Sequence, residues 1–378
     1  MIYLDNGATT FPKPQSVVNS CVKAMKYFGA NPGRGGYDLT IKASEMVYNA
    51  RKNIASFFGC SDPSRVVFTI NCTTALNTVI KGLVSPGDHI LISEYEHNAV
   101  LRPVEKLKEK GISYSVAAVY EGDNDKTLNS FRENIKPNTK LMICTAASNV
   151  FGIRLPFERL CALCHQYGIM TCVDAAQGAG LIPFDLSNSS IDFLCIAGHK
   201  GLYGPMGTGA MIVNCDKLPD SLVEGGTGSN SYDYKQPTAI PDRYESGTPN
   251  FPGIIGLSSG VSFARSLDPE KIYNKEIKLI QYLYDRLSVN ERIILYTNYP
   301  DKDYCVPVLS FNIKDYDSEY VTEILNDKYS VAVRAGLHCA PLAHKAKGTL
   351  ESGTVRVVPS VFTTKDDINR LVFALNNI

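Results

Sequence analysis

The feature that most constrains the fold is a series of seven short apolar runs separated by segments with helical periodicity. The runs lie at 65–70, 89–93, 113–119, 140–147, 168–176, 192–198 and 209–214. They show little alternation with polar residues, which is typical of strands buried on both faces of a sheet. Segments 72–83 and 157–167 repeat apolar residues at helical spacing. This alternation predicts an α/β protein with a mostly parallel sheet, whose ligands bind beyond the carboxyl ends of the strands.

A second α/β pattern follows a change in character at 224–253. That segment is rich in Gly, Pro, Ser and Tyr, and a loop of this length in a compact protein is usually functional or disordered. Beyond it, the pattern predicts helices over 254–290, over 317–327 and from about residue 365, and strands within 306–313, 329–336 and 354–360. We therefore predict a large domain over 16–255 and a smaller α+β domain over 256–378, which also takes in residues 1–15.

Composition narrows the function classes. The chain has 38 Lys and Arg against 38 Asp and Glu in 378 residues, which argues against a strongly basic nucleic-acid binder. No apolar run approaches the roughly 18 residues of a membrane helix, and no signal peptide is visible. The eleven cysteines are then expected to be reduced thiols in the cytoplasm.

Two residues at the ends of predicted strands suggest a cofactor site. Lys200 lies in a glycine-rich turn after an apolar strand; it could be an ordinary surface lysine, or a shielded amine that forms a Schiff base. Asp174 closes the strand before it and could cap the next helix or pair with the pyridinium nitrogen of pyridoxal phosphate. The combination is a stronger indication than either residue alone.

Three further segments carry residues suited to the same chemistry. Residues 69–77 join a strand to a helix N-terminus, which suits a phosphate group, and Thr73 adds a hydroxyl. His97 follows the strand at 89–93 and could stack on an aromatic cofactor and relay protons, or be a hydrogen-bonded loop residue. Cys339 lies beside His338 in a segment bounded by Gly and Pro, where it is either a reactive thiolate or a small structural residue.

The sequence CALCH at 161–165 matches the haem-attachment pattern. It is more simply a helix with both cysteines on one face, since c-type haem is attached in oxidising compartments. There is no second Cys-x-x-Cys pair to complete a zinc site. We therefore predict no metal site.

Together these motifs resemble the fold-type I pyridoxal phosphate enzymes of the class V aminotransferase superfamily and, within it, the cysteine desulfurase and selenocysteine lyase family. The resemblance runs from YLDNGATTFPKP to GTVRVVPSVFTTKDDI, with VDAAQ, AGHK, EHNAV, ASNVFG and ESGTPN between them. RAGLHCAP is similar to the Suf-type (group II) branch, whose catalytic cysteine lies on a short structured loop. The resemblance implies a large domain with a seven-stranded, mostly parallel sheet flanked by helices.

The resemblance also implies a role for individual residues. Lys200 would form the Schiff base and move the substrate's Cα proton, and Cys339 would accept sulfur as a persulfide, with His97 as a further catalytic residue. The implied cofactor-binding residues are Cys72, Thr73, His97, Asn149, Asp174, Gln177, His199, Lys200 and Thr248. Thr248 would reach the phosphate of a neighbouring subunit in a homodimer. The implied substrate-binding residues are Asn149, Arg356 and Arg334.

The leading hypothesis is therefore an enzyme that converts L-cysteine to L-alanine with pyridoxal 5′-phosphate and passes the sulfur to an acceptor protein. A selenocysteine lyase acting on L-selenocysteine would use the same site. An aminotransferase or epimerase on the same scaffold, and a catalytically idle binding protein, are further alternatives. The sequence does not identify the acceptor.

Overall fold

The computed structural model describes residues 1–33, 35–229 and 231–378. The helices in these ranges are α1 (Gln15–Tyr27), α2 (Asp38–Phe57), α3 (Cys72–Leu83), α4 (Asn98–Leu107), α5 (Asn124–Asn134), α6 (Phe157–Gln166), α7 (Phe251–Leu267), α8 (Pro269–Ser288), α9 (Ser318–Tyr329), α10 (Pro341–Ala346) and α11 (Lys365–Asn376). The strands are β1 (Ile2–Tyr3), β2 (Val66–Thr69), β3 (His89–Ser93), β4 (Ser113–Ala117), β5 (Thr139–Thr145), β6 (Met170–Asp174), β7 (Phe193–Ala197), β8 (Gly209–Val213), β9 (Ile293–Leu295), β10 (Leu309–Ile313), β11 (Val331–Ala332) and β12 (Val355–Val357).

The large sheet has seven strands in the order β2-β8-β7-β6-β5-β3-β4. Each of the seven predicted runs overlaps one of these strands, and six contain the whole strand; β5 begins one residue before its run. β3, β4, β5, β6 and β7 pair in parallel, and β8 is antiparallel to both of its neighbours. The predicted α/β architecture with a mostly parallel seven-stranded sheet is confirmed.

Both faces of this sheet are covered, as the unbroken apolar runs predict. Along β5, Leu141 and Ile143 pack in the same apolar cluster as helices α3 and α4, whereas Met142 and Cys144 belong to the cluster formed with α2, α6 and α7. Burial on both faces explains why these strands lack polar alternation. It also leaves the strand ends as the places where polar side chains can gather.

The two remaining sheets are small and are formed by β1 near the N-terminus and by β9 to β12 of the C-terminal part. One is antiparallel, in the order β12-β10-β9, and the other pairs β1 with β11 in parallel. An apolar cluster joins them to α8, α9 and α11. Thr364 and Asp367 form a capping box at the start of α11, the helix predicted from about residue 365.

The segment 224–253 contains no helix or strand in its described part until α7 begins at Phe251. The predicted helical stretch 254–290 is two helices, because the chain turns at Asp268, whose φ is 68°. The predicted domain boundary at residue 255 lies within α7 and stays a prediction. In the described residues, none of the helices has the length and apolar character needed to span a membrane.

Candidate active site

The parallel strands of the large sheet bring polar residues together at their carboxyl-terminal ends, which we call the sheet edge. β6 ends at Asp174 and β7 ends three residues before Lys200, while the segments after β3 and β5 carry His97 and Asn149. Parallel strands end on the same side, so these residues from separate parts of the sequence converge there.

Asp174 is almost fully buried, and one of its oxygens is held by two donors. Oδ1 accepts hydrogen bonds from the backbone N–H of Ala176 at 2.9 Å and from the thiol of Cys72 at 3.4 Å. Cys72 is the first residue of α3, so this thiol links the start of that helix to the end of β6. The side chain of Cys72 is therefore directed at Asp174 and not at the free helix terminus.

Lys200 lies in a tight turn against the segment after β6. A Cβ at Gly201 would lie 2.4 Å from the carbonyl oxygen of Ala179, so only glycine allows this close backbone approach. Burial lowers the pKa of Lys200, and the negative charge of Asp174 acts in the opposite direction. A lysine with a lowered pKa has a larger neutral, nucleophilic fraction near pH 7.

The N-terminal segment fixes the backbone on which Lys200 is carried. The carbonyl oxygen of His199 accepts hydrogen bonds from Thr10 N–H at 3.0 Å, Thr9 Oγ1 at 3.2 Å and Lys13 Nζ at 2.7 Å. Thr10 Oγ1 donates to the carbonyl oxygen of Lys200 at 2.9 Å. Burial lowers the pKa of His199 to about 4, with Lys200 and Lys13 adding to the effect, so its ring is neutral at pH 7. Its Nδ1 is buried without a hydrogen-bond partner in the described residues.

His97 is both the cap of α4 and a member of the site. Its Nδ1 accepts a hydrogen bond from the N–H of Ala99 at 3.0 Å, so in the neutral ring the proton lies on Nε2. Burial lowers the pKa of His97, and the nearby Asp174 opposes this shift. The neutral ring can therefore donate from Nε2 to a ligand at this edge.

Cys339 lies on a loop with unusual backbone geometry. His338 and Cys339 have φ angles of 47° and 60°, in the left-handed region that few side chains occupy. Of the eleven cysteines, all within the described ranges, Cys339 alone is exposed. Asn149 Nδ2 donates to the carbonyl oxygen of His338 at 2.6 Å, and Asn98 N–H donates to that of Cys339 at 2.7 Å. The loop is thus tied to the sheet edge while its thiol stays accessible.

Arg356 is a buried cation on the same side of the site. Only 1% of its side chain is exposed, and its Nη2 forms an ion pair with Asp5 at 2.7 Å. Its Nη1 donates to the carbonyl oxygen of Asn149 at 2.8 Å, and Arg334 forms an antiparallel bridge to it. Arg356 Nε and Asn149 Oδ1 are buried and have no partner in the described residues, which favours a polar ligand between them.

The remaining predicted residues lie further from this centre or make other contacts. Gln177 Nε2 donates to the carbonyl oxygen of Gly7 at 3.0 Å. Thr73 and Thr248 are exposed. Thr248 lines a cavity of about 300 Å³ beside β2 and β8, together with Thr74 and Gly209; Lys200 and Asp174 are not among its lining residues.

Asp5, Glu96 and Lys13 were not singled out from the sequence. Glu96 is fully buried and accepts hydrogen bonds from Ser93 Oγ and Thr145 N–H. The only available signal is position: Asp5 and Lys13 lie in YLDNGATTFPKP, and Glu96 precedes His97. Apart from Ser93, each of these partners is distant in sequence or is a backbone group, so the residue pattern does not reveal it.

Residues 2–371 match the family model of class-V aminotransferases. The chain belongs to the class-V aminotransferase family. It is 31% identical over 383 residues to a probable cysteine desulfurase of Methanothermobacter thermautotrophicus, covering 100% of this chain and 94% of that protein. It is 30% identical over 385 residues to a cysteine desulfurase of Haloferax volcanii, covering 100% of this chain and 89% of that protein.

Solved structures of two cysteine desulfurases are also similar to this chain. The apo structure of a cysteine desulfurase from Thermococcus onnurineus NA1 superposes with a TM-score of 0.91 at 30% identity, over 100% of this chain and 94% of that one. A cysteine desulfurase from Escherichia coli gives 0.87 at 26% identity, over 99% of this chain and 94% of that one. The fold and the family predicted from the sequence are confirmed.

Proposed function

We propose that this chain is a pyridoxal 5′-phosphate-dependent cysteine desulfurase that converts L-cysteine to L-alanine and takes the sulfur onto Cys339. The observation that carries the proposal is that an exposed thiol on a braced loop is tied to the same sheet edge as a lysine of lowered pKa and a buried carboxylate. Full-length similarity to proteins named cysteine desulfurase supports it.

The residues at the sheet edge fit this cofactor. Asp174 presents a carboxylate for the ring nitrogen, and His97 a flat neutral ring for stacking. The N-terminus of α3, with Thr73, suits a phosphate group, as does Nδ1 of His199, which has no partner among the described residues. Gln177 would serve the ring hydroxyl, and Thr248 the phosphate of a second subunit in a homodimer.

When bound, pyridoxal phosphate supplies an aldehyde for the amine of Lys200 and an electron sink that acidifies the substrate Cα–H. Lys200 then takes up the Cα proton, for which its lowered pKa is suited. Arg356 and Asn149, with Arg334 beside them, orient the substrate through its carboxylate. Burial of Arg356 strengthens its attraction for that carboxylate.

Cys339 performs the sulfur transfer. Its thiolate forms a bond to the substrate sulfur while the Cβ–S bond breaks, and the carbon fragment keeps that electron pair. Lys200 returns its proton to Cα, and the proton of the substrate thiol passes by way of His97 to Cβ, which completes L-alanine and leaves the persulfide on Cys339 as its anion. The persulfide on Cys339 is exposed, so a sulfur-acceptor protein can reach it. The eleven free cysteines fit a reducing compartment such as the cytoplasm.

Selenocysteine lyase is the second candidate, because the same residues would bind L-selenocysteine and a selenol-derived group leaves more easily than a thiol-derived one.

The test of the proposed function is to load the protein with pyridoxal phosphate, supply L-cysteine or L-selenocysteine, and measure alanine. Lys200→Ala is the control. We expect alanine from L-cysteine, and borohydride reduction followed by peptide mapping should find the cofactor on Lys200. Label on another lysine, or alanine formation by Lys200→Ala, would contradict the proposal.

A further inference from the structure

The thiol of Cys72 makes a contact that the proposed mechanism does not use. Cys72 is 7% exposed, and its Sγ lies 3.4 Å from Oδ1 of Asp174. Burial and the adjacent carboxylate raise the pKa of this thiol well above its ordinary value. The thiol therefore keeps its proton and is the donor in this hydrogen bond.

This contact is made to only one oxygen of the carboxylate. Oδ1 of Asp174 also accepts from Ala176 N–H at 2.9 Å, whereas Oδ2 receives no hydrogen bond from the described residues. A carboxylate with both donors on one oxygen cannot rotate freely about χ2, and its second oxygen is left for a ligand. The N–H of Ala176 belongs to the backbone directly after β6, so a side-chain substitution does not remove it. Cys72 is therefore the donor that a substitution can change.

Cys72 also stands at a second functional position. It is the first residue of α3, whose cap is Asn71 through a hydrogen bond to Thr74 N–H. The first N–H groups of a helix lack intrahelical partners and attract anions. One residue thus joins the helix terminus that suits a phosphate to the carboxylate that suits a ring nitrogen.

We propose that Cys72 is a positioning residue, whose thiol locks Asp174 with Oδ2 facing the cofactor and couples that carboxylate to the start of α3. This inference rests on the proposed function only for the identity of the ligand; the thiol–carboxylate contact belongs to the chain itself.

The contact is tested first in cofactor-free protein, by infrared difference spectra of the S–H stretch. The matched control is Cys172, a fully buried cysteine of β6 whose Sγ faces Cys195 Sγ at 3.8 Å and not a carboxylate. Subtracting the Cys72→Ala spectrum from wild type should reveal a band at lower frequency than subtracting Cys172→Ala does, because a charged acceptor weakens the S–H bond. Coincident bands would overturn the inference, whether or not the protein binds the cofactor.

The consequence is tested by the dissociation constant for pyridoxal phosphate, measured by fluorescence titration. A thiol is a weak donor, so we expect Cys72→Ala to bind about 3- to 10-fold more weakly. Cys72→Ser, which keeps a donor, should recover most of the affinity, and Cys172→Ala should bind like wild type. Cys72→Val, close in size and without a donor, repeats the test if the alanine variant does not fold. Wild-type affinity in both donor-free variants would overturn the inference, while failure of wild type to bind would count against the proposed function instead.

Discussion

The backbone N–H of Asn98 donates a 2.7 Å hydrogen bond to the carbonyl oxygen of Cys339. Asn98 is the first residue of α4, directly after the cap His97. One hydrogen bond therefore ties the loop that carries the exposed thiol to the segment that carries His97, although the two are far apart in sequence. The left-handed backbone at His338 and Cys339 is held in place by this bond and by Asn149.

Asn98→Pro tests this connection with little cost to the helix. Proline is favoured at the first position of a helix, and His97, with φ −70° and ψ 157°, has the extended backbone that a following proline requires. The substitution removes the donor and places a ring carbon against the Cys339 carbonyl. We expect persulfide formation to slow by about 3- to 10-fold, in line with the loss of one hydrogen bond.

The matched control for that variant is Asn98→Ala, which keeps the backbone N–H. Rapid-mixing measurements of sulfur transfer should separate the two variants, while thermal unfolding should be similar for both. Equal transfer rates would show that the hydrogen bond does not position the thiol.

Cys339→Ala should separate sulfur from selenium chemistry. Without the thiol no acceptor for the substrate sulfur is present, so alanine formation from L-cysteine should fall by at least about 100-fold, or about 2.7 kcal/mol of activation free energy. Turnover of L-selenocysteine should fall much less. The substitution lies on an exposed side chain, so unfolding should be unchanged. Full turnover of L-cysteine by this variant would exclude the persulfide route.

Arg356→Lys should weaken substrate binding and stability together. The guanidinium bridges Asp5 and the carbonyl oxygen of Asn149 from a buried position, and a lysine ammonium lacks the planar fork that spans both. We expect KM for L-cysteine to rise by about 10-fold or more and the free energy of unfolding to fall by about 2–4 kcal/mol. Asp5→Asn is the companion variant. An unchanged KM in Arg356→Lys would remove Arg356 from the substrate site.

Glu96 gives the protein a predicted pH dependence. Burial, reinforced by Asp174, raises the pKa of Glu96 from 4.5 to about 8, against the opposing hydrogen bonds from Ser93 and Thr145. The folded state therefore holds this proton when the unfolded state has lost it. The Glu96 contribution to stability should decline as pH rises from about 4.5 to about 8, by at most about 1.4 kcal/mol per pH unit.

Glu96→Gln stays neutral at every pH and should remove that decline. Urea unfolding of both proteins at pH 5 and pH 9 measures this effect. The free energy of unfolding of the variant minus that of wild type should be larger at pH 9 than at pH 5. The same difference at both pH values would show that Glu96 is not protonated in the folded protein.

The elements of the fold that could be predicted from the sequence are those with a clear apolar pattern. Helix 72–83 and strand 89–93 have the predicted bounds, because each is a well-marked apolar run with a polar boundary. Helices α1 and α2 are not predicted, and several apolar side chains on them, such as Val22 and Ile41, are exposed. The reversal of β8 is likewise invisible to periodicity, since a strand buried on both faces has the same pattern in either direction.

In the candidate site, the residues could be predicted from the sequence, but the contacts between them could not. Lys200, Asp174, His97 and Cys339 each carry a recognisable chemical type at a strand end or in a loop. The ion pair of Arg356 with Asp5 joins residues 351 positions apart, and Lys13 contacts a backbone carbonyl. Backbone acceptors have no residue signature, so such contacts emerge only from the folded chain.

In the proposed reaction, sulfur from L-cysteine passes to one thiol of this chain, that of Cys339. The most direct measurement incubates the cofactor-loaded protein with L-cysteine, without reductant, and maps the cysteine peptides by mass spectrometry alongside an alanine assay. We expect one added sulfur atom on Cys339 and an equal amount of L-alanine. Alanine formed with Cys339 unmodified, or sulfur carried by a different cysteine, would contradict it.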